Sequence, residues 1–326
     1  MKATAIAPSN IAFIKYWGKK DEVLRLPENG SISMNLSDMT TITTVAFDPS
    51  LKEDSITLND VKEKNEGNRA VKHLDRIRAL AKSTVKAHVV TVTNFPRSTG
   101  LSSSASGFAA LTVAGAKAIG LTLSEKELSI LARQGSGSAC RSIPNGITEW
   151  LDGDTSETSY AVSLYDKKYW DLCDVVAVVS EGPKDVATSA GMMLAQKSPF
   201  FSARTSHMHE RIALCKKALA EKNFSSLGEI IETEALELHA IMLTSQPSLI
   251  YWTPGTLRIM KLCKKWRHEG IPLYFTINTG QDIHLICQSS FVEKIEKRLQ
   301  EEVPELKKII RNTIADGAHS IEEHLF

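Results

Sequence analysis

Between Ala87 and Gly120 the chain passes from a β-rich run, through a loop rich in glycine and serine, straight into a helix of small apolar residues. The run is Ala87–Thr93, the loop Asn94-Phe-Pro-Arg-Ser-Thr-Gly-Leu-Ser-Ser-Ser-Ala-Ser-Gly107, and the predicted helix Phe108–Ile119, stopped by Gly120. Within the loop, Pro96-x-x-x-Gly100-Leu101-Ser102-Ser103-Ser104-Ala105 has the makings of a phosphate cradle. Glycine lets the backbone come close to an oxyanion. Successive N–H groups form an anion nest, and the positive end of the following helix adds to it. The hydroxyls of Ser103 and Ser104 can donate to phosphate or ligate Mg²⁺. The Walker pattern G-x-x-x-x-G-K-[ST] is absent. A flexible serine-rich linker is the competing reading, and a helix starting directly after Gly107 opposes it.

The pattern around this core is mixed α and β. Ala3–Ile14, Ser31–Leu36 and Thr40–Phe47 read as strands. Arg69–Lys82 has apolar residues at helical spacing, and Ser124-x-x-Glu127 is a capping box that opens a helix to about Gln134. After a buried strand at Val175–Val179 the texture changes. Long helical patterns follow at Ser206–Glu221, Ser225–Met242 and Pro254–His268, with short strands at Leu273–Ile277 and Ile283–Cys287 and a helix at Ser290–Glu301. A length of 326 residues suggests two domains. The expected division is 1–178 and 179–326.

Net charge is +1, from 39 basic and 38 acidic residues, without the basic excess of a nucleic-acid protein. The cysteines, Cys140, Cys173, Cys215, Cys263 and Cys287, are odd in number and scattered. They read as thiols in a reducing cytoplasm rather than a disulfide framework. The N-terminus has no apolar h-region, and no apolar run reaches about 18 residues. A signal peptide and a membrane span are therefore not expected.

Two further clusters carry potential chemistry. Asn10, Lys15, Tyr16, Lys19 and Lys20 follow or end the first strand. Exposed lysines are usually solvated charge, but the apolar Asn10–Ile14 run places at least one beside a strand end. Gly135-Ser-Gly-Ser138-Ala-Cys140-Arg141 offers a hydroxyl and a guanidinium fork suited to carboxylate or phosphate. Read alone, it is a turn with a surface arginine. His207-x-His209 lacks further ligands at metal-site spacing, and Cys140 has no nearby histidine to activate it, so it reads as packing.

Taken together and in this order, the clusters resemble the mevalonate diphosphate decarboxylase family of the GHMP kinase superfamily. The likeness runs through Ala7-Pro-Ser-Asn-Ile-Ala-Phe-Ile-Lys-Tyr-Trp-Gly-Lys-Lys20, Leu26-Pro-Glu-Asn-Gly-Ser-Ile-Ser33, Asn94 to Leu111 and Ala132-Arg-Gln-Gly-Ser-Gly-Ser-Ala-Cys-Arg-Ser142. It continues at Lys184-Asp-Val-Ala-Thr-Ser-Ala-Gly-Met192 and Leu238-His-Ala240, and so spans nearly the whole chain. The resemblance implies an α+β GHMP kinase fold, with a ribosomal-protein-S5-like N-terminal domain and a ferredoxin-like C-terminal domain. It also implies a cleft between them for substrate and MgATP, and a homodimer. The implied reaction is phosphorylation of a tertiary 3-hydroxyl, followed by loss of phosphate and CO₂ to give isopentenyl diphosphate.

By the same resemblance, Gly100, Leu101, Ser102, Ser103, Ser104 and Ala105 hold ATP, with Ser103 and Ser104 toward Mg²⁺. Lys15 lies beside the reacting hydroxyl. Arg141 and Asn10 hold the substrate carboxylate, with Ser138 beside them. Tyr16, Lys19 and Arg69 serve the diphosphate end, and Thr188 and Ser189 a further phosphate contact. One position departs from the family. Where these enzymes carry an aspartate before a small residue and glycine, this chain reads Phe275-Thr-Ile-Asn278-Thr-Gly280-Gln-Asp282. An amide orients a hydroxyl but is no base. Three readings stay open: Asn278 suffices because the proton leaves late or to phosphate; Asp282 substitutes; or the chain is diverted. A diverted chain would be a phosphomevalonate decarboxylase, a mevalonate 3-kinase, an impaired homologue or a non-catalytic sensor of isoprenoid phosphates. Asp282 reads equally as a turn cap, and His284 as a packed histidine.

Overall fold

The computed structural model describes residues 1–96, 100–180, 182 and 186–326. Arg97-Ser-Thr99 of the phosphate loop and Lys184-Asp185 of the later string fall outside the described residues. In chain order the first half holds β1 (Lys2–Ile14), β2 (Lys19–Asp21), β3 (Leu26–Pro27), β4 (Ser31–Phe47), β5 (Ser55–Leu58), β6 (Val61–Lys62), α1 (Arg69–Leu80), β7 (Ala87–Thr93), α2 (Ser103–Ala118), α3 (Glu125–Gly135), β8 (Ile147–Trp150) and β9 (Ala161–Tyr165). The second half holds β10 (Cys173–Val178), α4 (Thr188–Met192), α5 (Phe201–Ser206), α6 (Met208–Ala220), α7 (Phe224–Thr244), α8 (Pro254–His268), β11 (Leu273–Thr276), β12 (Ile283–Cys287), α9 (Val292–Glu302), β13 (Lys308–Thr313) and β14 (His319–Ile321).

Two sheets organise the molecule. The larger has eight strands, with β14-β1-β4-β7-β5-β6 in line and β8 and β9 continuing from β4. The smaller is antiparallel, in the order β11-β12-β10-β13. Strand β10 thus already belongs to the smaller sheet, upstream of the expected division at 178/179, and the chain returns at its end to pair β14 with β1.

Strand β1 serves two cores because it changes parity. Ala3, Ala5 and Ala7 pack against α1, α2 and α3. A register shift against β4 lies between Pro8 and Asn10, with the extra residues on the β4 side, and such an irregularity in the ladder turns the following side chains over. Ile11 and Phe13 therefore enter the other core, with Val176, Val178 and Ile286 of the smaller sheet. Asn10 and Ala12 are left on the helical side, where the site forms.

The structure corrects the sequence reading in three places. Helix α2 starts at Ser103, not Phe108, so the serines form its first turn. Serine and glycine are poor helix formers. Here the buried face of Ala105, Ala109 and Ala110 overrides propensity. The expected turn at 135–141 is a short 3₁₀ helix, Gly137–Ser142, with Arg141 buried. The long pattern from Ser206 is helix α6, and a short helix, α5, that the sequence reading did not expect precedes it and meets it at His207.

Candidate active site

Lys15 follows the end of β1 and is only 1% exposed. Its Nζ donates to Ala12 O at 2.8 Å and to Asn278 Oδ1 at 3.0 Å. No carboxylate pairs with it among the described residues. Burial lowers the ammonium pKa to about 7; Glu234 pulls it up, while Arg141 and Arg204 push it down. The backbone at this point is clamped. Lys15 N donates to Glu234 Oε2 at 2.9 Å, and its carbonyl accepts from Arg204 Nη2 at 3.3 Å and Asn29 Nδ2 at 3.0 Å. Glu234 is fully buried between Arg204 and Arg211, at 2.9 and 3.3 Å. Removing one member of such a pair strands the other charges. Glu234→Gln should therefore destabilise the fold by about 3–5 kcal/mol, read as a lowered urea midpoint at unchanged m.

Asn278 ties this strand end to the phosphate loop. Its Nδ2 donates to Ser102 Oγ at 3.1 Å, and its carbonyl accepts from His239 Nε2 at 3.0 Å. His239 is neutral, its pKa lowered to about 3 by burial. The loop closes on the same turn. Gly100 has φ +105, and a Cβ there would lie 2.7 Å from Gly280 Cα. Gly100→Ala should part the two loops and raise KM for ATP about tenfold, which is about 1.4 kcal/mol of binding.

Arg141 is buried beneath the cleft. Nε donates to Ser33 Oγ at 3.0 Å, Nη1 to Ser31 Oγ at 2.6 Å and Nη2 to Asn10 Oδ1 at 3.1 Å. Asn10 in turn donates to Ser142 Oγ at 2.8 Å and to the Ser138 carbonyl. Asn10 thus fixes the guanidinium from behind and does not itself line the cleft; nor does Ala105. Tyr16 lies over Gly137, where a Cβ would meet its ring at 2.7 Å. Its ring meets Trp150 edge-on at 4.6 Å, and its buried hydroxyl has no hydrogen-bond partner among the described residues.

One cleft collects Lys15, Tyr16, Lys19, Arg69, Gly100 to Ser104, Ser138, Arg141, Thr188, Ser189 and Asn278. Lys20 stays outside, paired with Asp154 on the surface. Asp282 is not among the residues that line the cleft; its Oδ1 accepts from Val179 N at 3.0 Å, just past the end of β10. His284 bonds Asp174 at 2.8 Å in the core, and burial pushes the Cys140 thiol up to about 12. All five cysteines are free and buried. No cluster of His, Cys, Asp or Glu fit for a metal exists among the described residues. A Mg²⁺ would instead rest on phosphate oxygens and hydroxyls, which suits its preference for substrate phosphates and water. Ser103 and Ser104, in the first turn of α2, supply such hydroxyls at the cleft wall.

Sequence reading missed Glu234 and Arg204, which reach the site from α7 and α5, and Arg25, which lines the cleft; it had His239 only as part of a resembling string, with no role. It also missed a second cavity of about 500 Å³ that shares Arg69, Ser103 and Ser104 with the cleft. Ile56, Leu58, Val89, Phe108 and Leu111 give it an apolar wall, and Glu63, Asn68, Thr91 and Thr93 add polar side chains. It is large enough for a nucleoside whose phosphates would point into the serine loop.

Comparison with known proteins gives a consistent answer. Residues 7–161 match the diphosphomevalonate decarboxylase-like N-terminal domain, and residues 174–324 the mevalonate 5-diphosphate decarboxylase C-terminal domain. The diphosphomevalonate decarboxylase of Candida albicans is 34% identical, over 90% of this chain and 86% of its own. The phosphomevalonate decarboxylase of Haloferax volcanii is 31% identical, over 91% of each. A solved structure of MDDEF in complex with MVAPP, AMPPCP and magnesium superposes with a TM-score of 0.93 at 35% identity, covering 99% of both chains.

Proposed function

The chain belongs to the diphosphomevalonate decarboxylase family, and from that premise we propose that its cleft decarboxylates mevalonate 5-diphosphate with MgATP. The products are isopentenyl diphosphate, ADP, phosphate and CO₂, in the mevalonate pathway of isoprenoid synthesis. The observation that carries the reading is the arrangement inside one cleft. Lys15 and Asn278 stand between the serine loop and a buried arginine, with further cations at the far end.

The serine loop and the start of α2 hold the ATP phosphates, and the apolar second cavity takes the nucleoside. Mg²⁺, held with the phosphates by Ser103 and Ser104, supplies charge neutralisation. Asn278 and Lys15 position the 3-hydroxyl, whose oxygen attacks the γ-phosphorus as ADP leaves. The transition state of such a transfer is loose, so the hydroxyl gives up its proton late, to the transferred phosphoryl group, and an amide at 278 suffices. Arg141, with Ser138 beside it, holds the substrate carboxylate. The C3–O bond then breaks with loss of phosphate. The C1–C2 electrons become the new double bond, and CO₂ departs. Tyr16, Lys19 and Arg69 bind the 5-diphosphate, with Thr188 and Ser189 as a further phosphate contact.

No helix among the described residues is long and apolar enough to cross a membrane. We place the enzyme in the cytoplasm as a homodimer, with an ATP-binding N-terminal half and a C-terminal half that closes the cleft. One observation, Asn278 in place of a carboxylate, favours a 3-kinase that stops at the phosphorylated acid. A substrate series separates the readings. ADP release should be at least about tenfold more efficient, in kcat/KM, with mevalonate 5-diphosphate than with the 5-phosphate or mevalonate. Turnover of mevalonate alone would overturn the proposal.

A further inference from the structure

One cation of the cleft has no role so far. Arg25 ends the turn between β2 and β3 with φ +54, a left-handed conformation that glycine or asparagine adopts more readily. The turn is fastened to the end of α3 from both sides. Arg25 Nε donates to Gln134 O at 3.0 Å, and Arg133 Nε donates to Leu24 O at 3.0 Å. Arg69 Nη2 donates to the next carbonyl, Gly135 O, at 2.9 Å. Two guanidinium groups thus hang from consecutive carbonyls at the negative end of a helix, and both face the cleft beside Lys19.

The charges there do not balance. Among the described residues neither Arg25 nor Arg69 has a carboxylate partner. The nearest anions are committed elsewhere: Glu22, 60% exposed, sits 2.6 Å from Lys19, and Asp21 accepts from Leu24 N at 2.6 Å. Burial, and after it repulsion from Arg25, lowers the Arg69 pKa to about 10. A guanidinium held by Nε alone keeps its Nη edge for an incoming oxyanion, in the paired geometry that phosphate accepts.

We propose that Arg25 is a specificity-determining residue: with Lys19 and Arg69 it binds the terminal phosphate of the substrate's diphosphate, so that this chain takes a diphosphate ester over a monophosphate. The proposal rests on the reading of the cleft given above. Lys19 and Arg69 reach both phosphates and so serve either ester, and Arg25 adds the cation that the terminal one needs.

The test uses the full chain with Arg25→Leu and Arg25→Lys. For the leucine variant, KM for mevalonate 5-diphosphate should rise about 10- to 100-fold with kcat within about twofold, as for a group that binds ground and transition states alike. KM for the 5-phosphate should change by less than about threefold, and the lysine variant should recover part of the loss. Equal losses for both esters, no loss, or a fall in kcat together with melting temperature would each overturn the proposal. Calorimetric titration with inorganic pyrophosphate and phosphate, at saturating ADP, separates this from the parent reading. If no mevalonate ester turns over but Arg25→Leu still weakens pyrophosphate alone, the parent reading fails and the site stands. If both anions weaken alike, the site fails.

Discussion

Arg141→Gln should lower the rate of CO₂ release by on the order of 10³-fold, the cost of removing a preorganised donor from a buried charge site. The guanidinium is 3% exposed, and each of its three nitrogens is held by a side chain, Ser33, Ser31 or Asn10. These partners are neutral, so the positive charge awaits an anion. In the proposed reaction the substrate carboxylate supplies one, and its charge is lost when CO₂ forms. Glutamine removes the charge and the planar fork together. Arg141→Lys should rescue little, because a lysine cannot satisfy three partners spread around a guanidinium and still face the carboxylate. CO₂ and ADP counted under saturating substrate, with melting temperature as the control for folding, read the effect. A loss below about tenfold would remove Arg141 from the chemistry.

Asn278→Asp should move the pH profile. In the chain as it stands, Lys15 has no anionic partner among the described residues and its pKa is lowered to about 7, chiefly by burial. In the proposed reaction the lysine acts as a cation beside the transferred phosphoryl group, so kcat/KM should fall as pH rises through about 7 and the free enzyme loses that charge. Bound anions favour the protonated amine; the limb of kcat should therefore lie higher, and ligand binding above pH 7 should take up a proton. A carboxylate placed where Asn278 Oδ1 stands, 3.0 Å from Nζ, favours the charged lysine even without ligand. The limb of kcat/KM should shift up by more than about one unit, a tenfold or larger gain near pH 8.5. The same lysine bears on stability. Its folded pKa lies below its unfolded value, so its contribution to stability rises with pH between about 7 and about 10.4. A limb that stays in place in Asn278→Asp would assign the titration to another group.

The parts of the site legible in the sequence are those encoded by short strings. The serine loop, the Lys15 segment and the Ser138–Arg141 segment each sit within a few residues of a strand end or helix start, and the fold brings these ends to one cleft. Asn278 stood out because it departs from the aspartate that the family resemblance implies there. What stayed hidden depends on contacts over distance. Glu234 lies 219 residues from the backbone N–H it accepts. On an α-helix, where acidic residues usually face solvent, nothing local marks it as buried. Arg25 reads as one more charge in a polar turn until the structure shows its carbonyl anchor in α3. The parity change in β1 was equally invisible, because an apolar run fits either face of a strand. The early start of α2 was missed for the opposite reason: local propensity spoke against a helix, and burial of its small residues outweighed it.

The most direct test of the account is a count of CO₂ against ADP in one vessel, with mevalonate 5-diphosphate and MgATP at pH 7, on the chain with Asn278 in place. The account predicts about one CO₂ for each ADP, with no phosphorylated acid accumulating. ADP released without CO₂, and an intact 3-phosphorylated acid left behind, would contradict it and show that the reaction stops at phosphoryl transfer.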